Sequence, residues 1–283
     1  MKTVTIFAHY DPQGKIENFV IYYLEKLKAV SNQIIFVSTS MLNDIEQQKI
    51  KHLVDKIITR ENIGYDFHSY KAGIDSIDGL TAYDQLILCN DSCYGPLFSL
   101  KDIFVKMNRQ EINFWGITSS NLLQFHLQSY FLVFNKPVLQ SNCFINFWKN
   151  LPIYQNRKDI IHNYEIALTQ VLISNNHYAA SYIPINFKVS SFWLIKRYFK
   201  LLIKRYVLHS TNYSTLGNIL KFRKISTLDK TIILWDYLVE QYKMPFIKRK
   251  IIKSDIAKCS EVIELLKNNQ INYPESLLRE END

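Results

Sequence analysis

The 283-residue chain is sparing with the residues that mark special architectures. Seven glycines and seven prolines are too few for a low-complexity or collagen-like chain. Four cysteines, Cys89, Cys93, Cys143 and Cys259, do not make a disulfide scaffold. Cys89 and Cys93 are neighbours, but there is no second close pair to complete a zinc site, so reduced and mostly buried thiols are expected. No apolar run approaches the roughly 18 residues of a membrane span. The run near the N-terminus, Val4 to Ala8, is too short for the core of a signal peptide. Neither GxGxxG nor a P-loop occurs, which excludes the dinucleotide and Walker phosphate fingerprints. These absences lead us to expect a cytoplasmic protein, with room for peripheral contact at the inner face of the cell membrane.

What is present is ordinary globular material: 47% hydrophobic and 21% charged residues exclude disorder. Aromatics are plentiful, with 18 Tyr and 17 Phe, but they are spread along the chain and read as core. Charge is not spread. The net is +8, yet residues 188–253 hold 15 Lys and Arg against Asp229, Asp236 and Glu240, a local net of +12. The remainder is therefore about −4. A basic region on an acidic body suggests an anionic partner, or else a solvated lysine-rich face.

Apolar spacing gives the elements. Short β-prone runs at Val4–Ala8, Ile34–Val37, Leu86–Cys89, Phe114–Ile117 and Tyr130–Phe134 read as strands. Helical spacing joins Ile16, Phe19, Val20, Tyr23, Leu24 and Leu27. After a capping pair, Asn43 and Glu46, it joins Ile50, Leu53, Val54 and Ile57. Phe67 to Ile77, Leu100 to Met107 and Ile161 to Leu172 are also helical in spacing. Alternating strands and helices predict an α/β domain over 1–187, a mostly parallel sheet covered on both faces. Residues 188–283 are expected to be a basic, helical region packed on it. Ligands of such sheets bind outside the carboxyl ends of the strands, here the loops that begin at His9, Ser38, Asn90 and Thr118.

Three segments carry candidate chemistry. In ENIGYDFHSYKAG (61–73), Asn and Gly can hold a tight turn ahead of a helix whose first N–H groups suit a phosphate. A plain turn and cap would use the same residues. In LILCNDSCYGP (86–96), an apolar strand ends in Asn-Asp-Ser, and an acid there is placed to hold a cation bridging a diphosphate. It could also simply form the turn. In NYEIAL (163–168), Glu165 falls on the apolar line of Ile161, Leu168 and Leu172. A carboxylate there must face a cleft or find a partner.

Taken in order, IFAHYDPQGKI, ENIGYDFHSYKAGI, LCNDSCYGPL, FWGIT, HLQSYFLVF, NYEIALTQ and MPFIKRKII resemble the rhamnan synthesis protein F family, bacterial glycosyltransferases of cell-wall, capsule and O-antigen polysaccharide assembly. The likeness runs from about residue 4 to residue 253. It implies a GT-A-like, Rossmann-like nucleotide-sugar-binding domain and an inverting transfer similar to that of family-2 glycosyltransferases. By that resemblance Asp91, between Asn90 and Ser92, would face a metal and the diphosphate, although the segment offers a single carboxylate. The implied cofactor is accordingly Mn²⁺ or Mg²⁺, held weakly. His9, Asp11, Asn62, Gly64, Asp66, Asn90 and Ser92 would bind the donor, with Lys71 neutralising a phosphate. Glu165 would be the catalytic base, and His126 and Gln128 would line the acceptor side. The implied donor is dTDP-L-rhamnose, with UDP-galactofuranose or another UDP-sugar as the alternative. The implied acceptor is a lipid-linked or oligosaccharide glycan.

One further pattern suits that acceptor. Over 192–207, Ile195, Tyr198, Phe199, Leu202 and Tyr206 share one helix face and Lys196, Lys200 and Lys204 another, fit for an anionic membrane or for packing on the body. Two other classes compete with a transferase. A nucleic-acid-binding protein would explain the basic region but neither Asn-Asp-Ser nor Glu165, so no nucleic acid partner is expected. A glycan-binding subunit that kept the fold without the activity would explain the single acid at Asp91.

Overall fold

The computed structural model describes residues 1–121, 123–154, 156–186, 189, 193, 229–253 and 256–279. The amphipathic segment at 192–207, with Lys196, Lys200 and Lys204, lies outside the described residues apart from Trp193.

Eleven strands are described: β1 Thr3–His9, β2 Gln33–Ser38, β3 Lys56–Thr59, β4 Gln85–Asn90, β5 Cys93–Tyr94, β6 Phe114–Gly116, β7 Ser119–Ser120, β8 His126–Leu127, β9 Phe131–Asn135, β10 Ala179–Ser181 and β11 Ile247–Lys248. Seven form one sheet in the order β10-β6-β9-β4-β1-β2-β3. β1 pairs in parallel with β2 and β4, β2 with β3, and β6 with β10. Only β9 runs against its neighbours β4 and β6. The mostly parallel α/β sheet is thus as expected. The reversal at β9 has a local cause. β7 and β8 pair antiparallel straight after β6, which turns the chain back without the long crossover a parallel return requires.

The strands read as unbroken apolar runs because both faces are covered. All seven residues of β1 are buried. Phe7, Phe36, Ile87 and Val133 face one core, while Val4, Ile6, Leu86 and Leu88 face the other. Helices α1 Asn18–Leu27, α2 Asp44–Ile50, α3 Tyr65–Asp75 and α4 Leu100–Asn108 follow β1, β2, β3 and β5. Their caps are those legible in the sequence: Asn43 Oδ1 accepts the Glu46 N–H at 2.9 Å, and Ser99 Oγ accepts that of Asp102 at 3.3 Å. Short helices α5 Lys136–Leu139, α6 Asn142–Lys149 and α7 Arg157–Ile160 lead to a π-helical segment, Ile161–Ile166, that runs into α8 Ala167–Ser174.

Two expectations change. The second helix does not extend to Ile57. It ends at Ile50, and Ile57 lies in β3, where the β-branched pair Ile57-Ile58 pairs with β2. The helical line through Ile161, Glu165 and Leu168 is also displaced. The buried line is Ile160, Tyr164, Leu168 and Leu172, while Ile161 is only half-buried. The π-helical turn inserts an extra residue ahead of α8, so uniform α spacing misplaces what precedes it.

The C-terminal helices α9 Lys230–Ile233, α10 Trp235–Tyr242, α11 Arg249–Lys253 and α12 Ile256–Asn268, with the residues that join and follow them, supply Leu234, Trp235, Leu238, Val262, Leu266 and Leu278 to the core that holds Phe7 and Phe36. Phe246 is 1% exposed, with its ring 5.1 Å from Tyr23 and 5.5 Å from Phe131. β11 pairs antiparallel with β5. Gly95 makes that approach possible: its φ is +144°, and a Cβ would sit 2.4 Å from the Pro245 carbonyl oxygen.

Candidate active site

The parallel strands end together. His9, Ser38, Asn90 and Gly116 close β1, β2, β4 and β6 along one sheet edge, and Ser129 and Tyr130 enter β9 from the same edge. Two groups of side chains meet there.

The first is built on β1, β2 and β4. His9 Nδ1 is 3.0 Å from Ser38 Oγ, and the ring leans on Phe36. Burial pushes the His9 pKa down, against the attraction of Asp91 and Asp11. Asp11 closes its own loop, with Oδ1 accepting the Gln13 and Lys15 N–H groups, each at 2.9 Å. Asp91 is buried, and its Oδ2 accepts the Tyr10 N–H at 3.0 Å. Burial raises its pKa, offset by His9, that N–H and Arg249. Asn90 Oδ1 accepts the Ser92 N–H at 3.1 Å and hydroxyl at 2.5 Å, while Asn90 Nδ2 donates to Asp66 at 2.8 Å. Arg249 reaches this group from the far end of the chain. Its Nη1 donates to the Asp91 carbonyl at 3.3 Å, its Nη2 to Glu17 at 3.0 Å, and the guanidinium lies 4.5 Å from the centre of the Phe19 ring.

Asp66 joins the first group to the second. It is the second residue of α3, directly after two left-handed residues, Gly64 at φ +76° and Tyr65 at +56°. Gly64 is required, since a Cβ there would lie 2.2 Å from the His68 ring. Left-handed Tyr65 holds strain on the order of 1–2 kcal/mol at the rim of the site. Burial and the neighbouring Asp91 raise the Asp66 pKa to about 7, with Asn90 opposing and Glu165 adding to the rise. Arg60, directly after β3, donates from Nη1 to Ser69 Oγ at 3.0 Å and from Nη2 to the Ile63 carbonyl, and its charge acts on Asp66. Asn62 is exposed in the same loop. Lys71 pairs instead with Asp75 at 3.0 Å, further down α3.

The second group is carried by β8, the entry to β9 and the π-helical segment. Glu165 accepts a hydrogen bond from the Ser129 hydroxyl, and its other oxygen is 3.9 Å from His126 Nε2. Its side chain is 20% exposed, open to solvent between buried Tyr164 and Ile166. His126 Nδ1 is 2.9 Å from the Gln124 carbonyl, which fixes the ring. The Tyr70 hydroxyl donates to the Ser129 carbonyl at 3.0 Å, tying α3 to this side. Gln128 Oε1 accepts from Thr118 Oγ1 at 2.6 Å.

The donor set around Asp91 does not fit a divalent metal. One Asp91 oxygen is taken by Tyr10, Asn90 Oδ1 is turned to Ser92, and a guanidinium stands beside the acid. Among the described residues no group of three or more His, Cys, Asp or Glu could hold a metal ion.

Sequence reasoning singled out neither Arg249 nor Arg60, Ser129 and Tyr10. Signals existed for three of them. Arg249 lies in MPFIKRKII, Ser129 in HLQSYFLVF and Tyr10 in IFAHYDPQGKI, all segments of the resemblance. Only the fold brings Arg249 across 158 positions to Asp91.

An α/β sheet with carboxylates and basic groups gathered at its carboxyl edge has the layout in which open α/β sheets bind ligands. The model of the family described as rhamnan synthesis protein F matches residues 34–183, more than half of the chain, and the chain belongs to that family. It is 28% identical to "Uncharacterized protein y4gN" of Sinorhizobium fredii over 59% of its own length and 45% of the relative's. It is 30% identical to "Virulence protein VirA" of Vibrio anguillarum over 78% of its length and 65% of the relative's. The chain thus spans about half to two thirds of these relatives. Similar solved structures include the glycosyltransferase GlyE of Streptococcus pneumoniae, at 14% identity, TM-score 0.37, and coverage of 64% of this chain and 45% of that one. Another is core-mannan synthase A of Aspergillus fumigatus in an Mn/GDP form, at 9% identity, TM-score 0.34, and coverage of 63% and 70%. No helix among the described residues is long and apolar enough to cross a membrane.

Proposed function

We propose that this chain is a glycosyltransferase that moves a sugar from a nucleoside-diphosphate donor to a glycan acceptor with inversion. The observation that carries the reading is the convergence of Glu165, Ser129 and His126 on the sheet edge that also holds His9, Asp66 and Asp91. Family membership supports the reaction class.

In this reading the donor lies over the ends of β1 and β4. His9 and the Asp11 loop face the nucleoside, and Asn90, Asp91, Ser92 and the Asn62–Asp66 turn surround the diphosphate. The acceptor approaches from His126 and Gln128. Glu165 removes the proton from the acceptor hydroxyl, and the oxygen attacks the anomeric carbon. The anomeric carbon–oxygen bond to the diphosphate then breaks, its electron pair leaving with the nucleoside diphosphate. Ser129 and His126 hold the Glu165 carboxylate toward the cleft. The family points to dTDP-L-rhamnose as donor and a polysaccharide, lipid-linked or not, as acceptor, with UDP-galactofuranose as the alternative.

A thermal-shift panel of nucleoside diphosphates and nucleotide sugars, followed by a donor-hydrolysis assay, tests the reading. Selective stabilisation by dTDP and turnover of dTDP-L-rhamnose are expected. Stabilisation by UDP alone would move the donor to a UDP-sugar. Binding without turnover or transfer would leave a glycan-binding subunit in place of an enzyme.

A further inference from the structure

Arg249 occupies an unusual position for a residue so distant in sequence. Its backbone N–H donates to the Ser92 carbonyl at 2.9 Å, next to the β11–β5 pairing. Its side chain then threads between Glu17 at the start of α1, the Phe19 ring and Asp91. Two separate segments, the start of α1 and the loop after β4, therefore fix one guanidinium at the carboxyl end of β4. Its attachment to the Asp91 carboxylate is loose. Nη1 lies 4.0 Å from Oδ2, beyond hydrogen-bond range, while the guanidinium's hydrogen bonds include those to the Asp91 carbonyl and to Glu17. The side chain is 13% exposed. The same place lacks a donor set for a divalent cation, as described above.

We propose that Arg249 supplies the positive charge for the donor's diphosphate, and that nucleoside-diphosphate binding at this edge needs no divalent cation. The inference rests on the glycosyltransferase reading. A guanidinium presents paired N–H donors that match two phosphate oxygens, which a lysine ammonium does not. Asp91 serves in this arrangement as a positioning residue, holding the Tyr10 backbone and flanking the guanidinium. The basic region around Lys248, Arg249 and Lys250 then has a function at the site itself.

The test is calorimetric binding of dTDP and UDP to the full chain, in EDTA and in Mn²⁺ or Mg²⁺, for wild type, Arg249→Gln and Arg249→Lys. Lys258→Gln, on α12 and paired with Glu261, controls for lost charge elsewhere. We expect a wild-type Kd that changes less than twofold between EDTA and metal. Arg249→Gln should weaken binding at least tenfold, Arg249→Lys by a smaller factor, and Lys258→Gln not at all. Binding that appears only with metal overturns the inference while keeping the glycosyltransferase reading. So does a folded Arg249→Gln with wild-type affinity. If neither dTDP nor UDP binds under any condition, the inference and the reading both fall. Should Arg249→Gln not fold, the wild-type EDTA comparison and Arg249→Lys still decide.

Discussion

The two sides of the candidate site are built by different means. The side holding His9, Asp91 and Arg249 stands on the ends of parallel strands, where backbone N–H groups fix Asp91 and Asp11 and a guanidinium holds Glu17 and the Asp91 carbonyl. The side holding Glu165 stands on a π-helical turn and the short strands around an antiparallel return. There the carboxylate meets a hydroxyl and, at longer range, an imidazole, and it keeps a path to solvent. One side holds charge still, and the other presents an acceptor of protons. A transferase needs both, a fixed field where the leaving group departs and a base with access where the nucleophile arrives.

Removing the proposed base breaks the comparison most severely. Glu165→Gln keeps the shape and the bond from Ser129 but cannot take a proton. Turnover should fall roughly 10² to 10⁴-fold, with donor Kd within about twofold, because the proposed nucleotide site is on the other side. Steady-state kinetics with direct donor titration separates the two numbers. A variant that loses donor affinity but turns over normally at saturation would place Glu165 on the donor side instead.

Next is the join that delivers Arg249. Phe246→Ala deletes a buried ring packed on Tyr23 and Phe131, and the expected loss is about 3–5 kcal/mol of stability by chemical denaturation. If the β11–β5 join serves the fixed-field side, the folded fraction of this variant should bind dTDP more weakly while Glu165 keeps its contacts. Unchanged affinity per folded molecule would uncouple the join from the site.

The sharpest contrast in titration falls on Asp66, between the two sides. Its carboxyl titrates near 7 in the folded chain against an ordinary value of 3.8. The folded state therefore holds a proton that the unfolded state has released. Stability should fall as pH rises from about 4 to 7 and then level. Asp66→Asn keeps an acceptor for Asn90 and removes this dependence. The gap in unfolding free energy between variant and wild type, read by chemical denaturation at each pH, should widen over that window to on the order of 1–3 kcal/mol in the variant's favour at pH 8. His9, with its lowered pKa, acts in the opposite sense below 6.5 but is common to both proteins, so the difference isolates Asp66.

Much of this was legible in the sequence, and unevenly. Apolar runs placed β1, β2 and β4 because strands buried on both faces carry no competing pattern. The loops after His9, Ser38 and Asn90 followed from the parallel order alone. Asn43 and Ser99 announced their helices through cap chemistry that is purely local. What failed to show is non-local or breaks a period. Arg249 meets Asp91 only because β11 pairs with β5, and no spacing rule spans that distance. The surroundings of Glu165 were misplaced because a π-helical turn shifts the helical count ahead of α8. Ile57 went to a strand because pairing with β2 outweighed a helical repeat that ended a turn earlier.

The smallest expected effect concerns Lys71, and it asks whether a cation near a motif belongs to the motif. Lys71 is six residues beyond the start of α3, about 9 Å along the axis at 1.5 Å per residue. The helix runs from the carboxyl edge of the sheet toward the opposite edge, so each turn carries its side chains further from Asp91. The ammonium there pairs with Asp75, whose side chain is 56% exposed. The order of the pair, lysine first and acid four residues later, is the weaker orientation, and an acid in the last turn opposes the helix dipole. Lys71→Gln should therefore change stability by no more than about 0.5 kcal/mol and leave the dTDP Kd within twofold. Calorimetry beside Arg249→Gln gives the comparison directly. A tenfold loss in Lys71→Gln with none in Arg249→Gln would return the phosphate charge to α3 and reverse the assignment of the fixed-field side.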